Sequence, residues 1–114
     1  MTGAAATVAS REALERQDGR RVAAAGRYSA IAQPRKGPPD PDSPRDHATL
    51  TLADGTIVYL EALYGPRARR GAEELARFDG CAVVVTGIAH RLMPSQGPTL
   101  IAPCLTDIER VEPG

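Results

Sequence analysis

Between residues 47 and 63 the chain reads HATLTLADGTIVYLEAL, with apolar side chains at every second position. Ala48, Leu50 and Leu52 share one side of an extended backbone, and His47, Thr49 and Thr51 share the other. Asp-Gly in the intervening ADG tolerates positive φ and makes the turn. On the return, Val58 and Leu60 hold one face while Ile57, Tyr59 and Glu61 hold the opposite one. This is the clearest β-hairpin in the sequence. Three further runs read as strands: RRVAAAGRYSAIAQ before the hairpin, and CAVVVTGIAHRLM and TLIAPCLTDIERVE after it. In the first, Val22 and Ala24 share a face opposite Arg21, Ala23 and Arg27; in the second, Val83 and Val85 oppose Val84 and Thr86. Pro103 marks a bulge or an edge in the last run. Two short helices complete the pattern. Ser10 is an N-cap for REALERQD, which stops at Gly19, and AEELARFD is closed by Gly80. Residues 1–9 are small and weakly patterned, and read as a flexible arm ahead of one domain spanning 10–112.

One phrase occurs twice. The stretches beginning at Glu12 and Glu73 carry the same residue at seven places: Glu12/Glu73, Leu14/Leu75, Arg16/Arg77, Asp18/Asp79, Gly19/Gly80, Val22/Val83 and Gly26/Gly87. Each copy is a short helix, an Asp-Gly stop, an apolar strand and a glycine within that strand. Solenoids need three or more repeats, so two copies express a local geometric need instead. Five short strands closing into a small barrel must bend sharply, and a glycine in mid-strand leaves no side chain against the bend. Gly26 and Gly87 are therefore read as structural, bending the first and fourth strands. Each helix is expected to plug or flank a barrel end. The fold class is all-β: a five-stranded barrel with a short N-terminal helix and a short helix between strands three and four.

Here the chain resembles the OB-fold. The resemblance rests on the strand order, on the helix GAEELARFD and on the phrases DGRRVAAAG and DGCAVVVTG, and it covers roughly residues 11–112. It is similar to the OB domains of bacterial nucleic-acid-binding proteins, including the anticodon-binding type. It implies a Greek-key barrel that binds on the face of strands two and three, framed by the loops after strands one and four. On this sequence that face comprises Thr49, Thr51, Ile57, Tyr59 and Glu61, with Arg27 from strand one and Arg35, Lys36, Arg91 and Met93 from the framing loops. Tyr28 and Tyr64 would join it if a bulge turned them outward. A fold does not choose its ligand, so the residues must.

Composition limits the choice. Fourteen basic residues balance fourteen acidic ones in 114, so no global field draws the chain to nucleic acid or a membrane surface. Residues 11–36 hold a local excess of seven basic over three acidic groups. Single-strand binders pair basic grooves with aromatic platforms, yet the chain has three tyrosines, one phenylalanine and no tryptophan. Phe78 is assigned to the core, Glu61 would repel phosphate, and Asp40, Asp42 and Asp46 offset Arg35, Lys36 and Arg45. PRARR, residues 66–70, reads either as a grip for phosphates or an acidic partner or, in preference, as a solvated loop balanced by Glu73 and Glu74.

No chemistry-bearing motif appears. His47, His90, Cys81 and Cys104 lack zinc-ligand spacing, and surface roles suffice for both histidines. A hairpin centred near Ser95 would set Cys81 opposite about residue 109, so the two thiols are expected apart, reduced and buried. There is no phosphate-cradling glycine loop, no nucleophile elbow and no carboxylate pair beside a histidine. The expectation is a non-catalytic cytoplasmic module with no cofactor, no metal and no membrane span. The Pro-rich loop 34–46 contains five prolines in thirteen residues and has polyproline character. Neutral charge and sparse aromatics favour another protein as partner, through that loop and the sheet face. Single-stranded nucleic acid on the strand 2–3 face is the alternative.

Overall fold

A computed structural model of the chain describes residues 6–32, 38, 42–62, 67–92 and 102–114. Its elements are β1 (Ala6–Val8), α1 (Arg11–Arg16), β2 (Arg21–Ile31), β3 (His47–Thr51), β4 (Ile57–Leu60), α2 (Ala72–Phe78), β5 (Ala82–His90) and β6 (Cys104–Pro113). Strands β2, β3, β4, β6 and β5 pair in that order, and β5 pairs back onto β2. The result is a closed five-stranded barrel, mixed because β4 and β6 run parallel. A closed barrel leaves each member a neighbour on both sides for at least part of its length.

The alternation read from the sequence becomes the barrel wall. Val22, Ala24, Tyr28, Leu50, Val58, Leu60, Val83, Val85, Ala89 and Leu105 all point inward and are buried. α1 closes the end where β2 begins: Leu14 is fully buried, and Asp54 in the β3–β4 turn accepts from the Arg11 N–H at 2.8 Å. Ser10 caps this helix, its Oγ accepting from Ala13 N at 3.2 Å. α2 closes the opposite end with Leu75 and Phe78, whose ring lies 6.1 Å from that of Tyr28.

The echo in the sequence is a pseudo-two-fold axis through the β2–β5 ladder. Gly19 N donates to Ala89 O at 2.7 Å, and Gly80 N donates to Tyr28 O at 2.8 Å. Ala89 N returns a bond to Arg20 O, and Tyr28 N returns one to Cys81 O. The Asp18 carboxylate accepts from Arg91 N, and the Asp79 carboxylate from Ala30 N, both at 2.8 Å. Gly19 and Gly80 have φ of 81° and 82°, a region that penalises any side chain. The repeated Asp-Gly is therefore one device used twice: the glycine turns the chain into its strand, and the aspartate secures the end of the other long strand.

The same symmetry explains the mid-strand glycines. A β-carbon on Gly26 would lie 2.4 Å from Thr51 O, and one on Gly87 would lie 2.9 Å from Thr106 O. At each, a neighbouring strand crosses close. Opposite Gly87, β6 makes a bulge between its pairings to Thr86 and Ile88 and then continues along β5. Opposite Gly26, β3 ends and the chain turns away into β4. The vacated edge of β2 is filled instead by β1, which pairs in parallel with Val22–Ala24. Residues 6–8 thus form a strand with Val8 buried, where a flexible arm was expected. The weak pattern hid it because three residues show too little alternation to be read.

Candidate binding face

The outer wall of β2, β3 and β4 carries the residues singled out from the sequence. Arg27, Thr51 and Ile57 occupy one cross-strand row, since Arg27 pairs with Thr51 and Thr51 with Ile57. Arg27 is exposed and has no ion-pair partner among the described residues, and Ile57 is 53% exposed. Thr49 and Tyr59 occupy the next row, which runs Ser29, Thr49, Tyr59, Cys104, His90. That second row is less open, with Thr49 and Cys104 buried and Ser29, Tyr59 and His90 half-buried. Thr49 is only 6% exposed, and Tyr59 packs with Ala62 against the buried Cys104. Tyr59 is therefore half-buried, with its side chain packed on the small apolar residue across the sheet. Arg91 is exposed one residue past the end of β5, whereas Arg27 pairs with the first residue of that strand. The two arginines belong to opposite ends of β5. Arg35, Lys36, Tyr64 and Met93 lie outside the described residues.

Several expectations change at this face. Glu61 does not present its charge to a ligand. It is buried at φ 74°, and its Oε2 accepts from Ile108 N at 3.2 Å, securing the bulge of β6. Tyr28 is buried in the core: β2 keeps its alternation through Gly26, so no bulge turns the ring outward. His47 has no surface role. It is 3% exposed, and its Nδ1 lies 2.6 Å from the Asp46 carboxylate. Asp46 also pairs with Arg69 at 2.9 Å, which places its charge on the β3 entrance. Cys81 is exposed beside α2 and only Cys104 is buried. His90 pairs with Cys104 and Val83 with Pro113, so Cys81 lies past the end of β6 rather than opposite residue 109. The bulge in β6 shifts the register between the two strands, and the turn expected near Ser95 lies outside the described residues.

The arginines of 67–70 are all engaged. Arg67 binds Asp107 at 2.9 Å, Arg69 binds Asp46, and Arg70 grips Glu74 through two bonds of 2.7 and 2.8 Å. Glu74 in turn accepts from the Tyr28 hydroxyl at 2.7 Å. Burial opposes ionisation of Glu74, yet the Arg70 and Tyr28 bonds hold its carboxyl below the usual range. Burial, then the bond to Glu74, pushes the Tyr28 phenol well above its ordinary value. Burial, with Glu61 nearby, pushes the Cys104 thiol up to about 12, which leaves it a neutral packing group.

One polar chain was missed by the sequence reading. His90 Nε2 lies 2.7 Å from Thr106 Oγ1, Thr106 reaches Asp107 at 3.4 Å, and Asp107 holds Arg67. Asp107 sits at φ 49° in the bulge. No spacing in the sequence announced it, because the bulge that gathers these side chains arises from pairing between β5 and β6. Among the described residues no group of three or more His, Cys, Asp or Glu could hold a metal ion, and no helix is long and apolar enough to cross a membrane. No protein-family model, no curated protein and no solved structure matches the chain, so the reading of this face rests on its own residues.

Proposed function

We propose that the chain is a non-catalytic, OB-like binding module that serves as an accessory or adaptor subunit by contacting another protein through the outer face of β3 and β4. The strand order β2-β3-β4-β6-β5, the parallel β4–β6 pair and a helix between the third and fourth barrel strands are compatible with that architecture. The observation that carries the choice of partner is the row Arg27, Thr51, Ile57. An exposed isoleucine at the start of β4 and an unpaired arginine on β2 flank Thr51, while the nearest aromatic, Tyr59, is partly buried against Cys104. A mixed apolar and hydrogen-bonding strip of this kind suits a protein surface. A nucleic-acid groove would need several cations and free rings. Glu61 is withdrawn, so the strip carries no negative charge of its own to exclude an acidic partner residue from Arg27. The cytoplasm is the compartment this reading assigns, consistent with two thiols that stand apart.

The alternative, single-stranded nucleic acid on the same face, has one observation behind it: Arg27 is exposed without a carboxylate partner. One pair of measurements separates the two. Fluorescence anisotropy uses labelled single-stranded DNA and RNA of about 15 nucleotides, within the site size of one barrel, at low and physiological salt. Affinity purification compares the native chain with Ile57→Glu and with a chain lacking residues 35–45. The protein reading expects no anisotropy change at low salt, where electrostatic attraction is greatest. It expects a partner that survives physiological salt and is lost with Ile57→Glu. Micromolar nucleic-acid binding that weakens with salt and disappears with Arg27→Ala would overturn it.

A further inference from the structure

Flanking the β2–β5 ladder, two strand edges have no further strand beside them among the described residues. One is the outer edge of β1, which pairs only with β2. The other is β6 beyond Leu105, which from there pairs only with β5. The pseudo-two-fold axis makes them counterparts: β1 lines Val22–Ala24 of β2 as the end of β6 lines Val83–Val85 of β5. Their side chains differ sharply. The β6 edge carries Glu109, Arg110, Glu112 and Pro113, with ion pairs Arg21–Glu109 and Arg110–Glu112. Charges and proline are the devices that keep an open edge from pairing. The β1 edge reads Ala-Thr-Val, and among the described residues 6–10 there is no charged side chain and no proline. Equivalent positions in one barrel are thus guarded on one side and bare on the other, so the difference is not imposed by the fold.

We propose that the bare edge is a self-association surface. Two copies pair β1 with β1, antiparallel about a two-fold axis through Thr7, and join their barrels into one continuous sheet. An antiparallel pair of identical strands is its own complement, so a single edge serves both copies. In this register Thr7 faces Thr7 of the second copy, a favourable β-branched cross-strand pair. Ala6 falls opposite Val8 of the second copy. Ala6 and Val8 share one side of the strand, and Val8 is already buried while Ala6 is exposed, so the pairing extends each apolar core across the junction. Zero formal net charge means that no long-range repulsion opposes the approach of two copies.

The proposal is independent of the β3–β4 face, whose residues the test leaves untouched. Sedimentation equilibrium is run from low to high micromolar concentration on the native chain, on Thr7→Lys and on Thr7→Glu. The native chain is expected to dimerise. Each variant alone is expected to associate more weakly by roughly tenfold or more, because like charges meet across the axis. An equimolar mixture of the two is expected to recover the dimer. Urea midpoints measured at a concentration low enough to keep the native chain monomeric are expected to stay near native, since Thr7 is exposed in the single chain. In a Cys81→Ser background, Thr7→Cys is expected to give a disulfide-linked dimer on mild oxidation, a readout that stands even if a charged variant fails to fold. A native chain that stays monomeric throughout, or a dimer that neither charge weakens, would overturn the proposal.

Discussion

At Gly26 a single hydrogen in place of a side chain decides whether the barrel can close. The atom that a β-carbon would strike, Thr51 O at 2.4 Å, belongs to backbone and cannot swing aside. At Gly87 the corresponding approach to Thr106 O is 2.9 Å, and the bulge in β6 gives that backbone more room to adjust. Gly26→Ala is accordingly expected to destabilise the fold by about 3 kcal/mol and Gly87→Ala by about 1 kcal/mol, read as shifts in urea unfolding. Equal losses at the two positions would mean that neither contact governs the bend. The glycines were visible in the sequence as interruptions of apolar strands. The carbonyls they make room for were not, because those lie on strands far along the chain.

The two helices show what an element gains from its surroundings. Six- and seven-residue helices are too short to persist alone, so each depends on a cap and on the barrel end it covers. α1 has the Ser10 cap; α2 begins at Gly71 with no side-chain cap, and its first turn is held instead by Arg70 on Glu74 and by the Tyr28 hydroxyl from β2. Removing Arg70 would leave a half-buried carboxylate and phenol facing each other. Arg70→Ala is expected to cost about 2 kcal/mol, and Arg70→Lys to recover only part of that because an ammonium cannot make the paired bonds. The check is urea unfolding of both, with Tyr28→Phe, Arg70→Ala as the double variant. If the phenol and the guanidinium act through Glu74 as one unit, the double variant loses less than the two single losses together.

For the whole molecule, folding buries two groups that ionise in the unfolded chain at alkaline pH, Tyr28 in the barrel core and Cys104 against Tyr59 and Ala62. The Cys104 thiol rises from an ordinary 9.0 to about 12, and the Tyr28 phenol rises above its ordinary 10.0. A raised acid stays neutral in the fold while the unfolded chain gives up its proton, so stability is fully present below the unfolded value and falls as pH climbs past it. Stability set by these groups is expected to be flat up to about pH 9 and to decline from there toward pH 12. Urea midpoints measured at intervals across that range test it: Cys104→Ala should flatten the first part of the decline and Tyr28→Phe the later part. A native curve that stays level to pH 11 would show that neither proton is held by the fold.

Alternation in 47–60, the Ser10 cap, the Asp-Gly stops and the doubled phrase were enough, read as sequence, to define an all-β barrel with a helix at each end. These signals are local, and hydrogen-bond geometry and side-chain period translate them directly into elements. The candidate face was legible only as a list of outward positions. Pairing between strands distant in sequence decided that Arg27, Thr51 and Ile57 form one row, that Tyr59 is half-buried against Cys104, and that Glu61 turns inward to secure a bulge. It also decided that Ala6–Val8 is a strand. Which face of a side chain meets solvent depends on what the rest of the chain lays over it, and no short stretch of residues carries that information. Local pattern gave the elements; register, bulge and closure gave their surface.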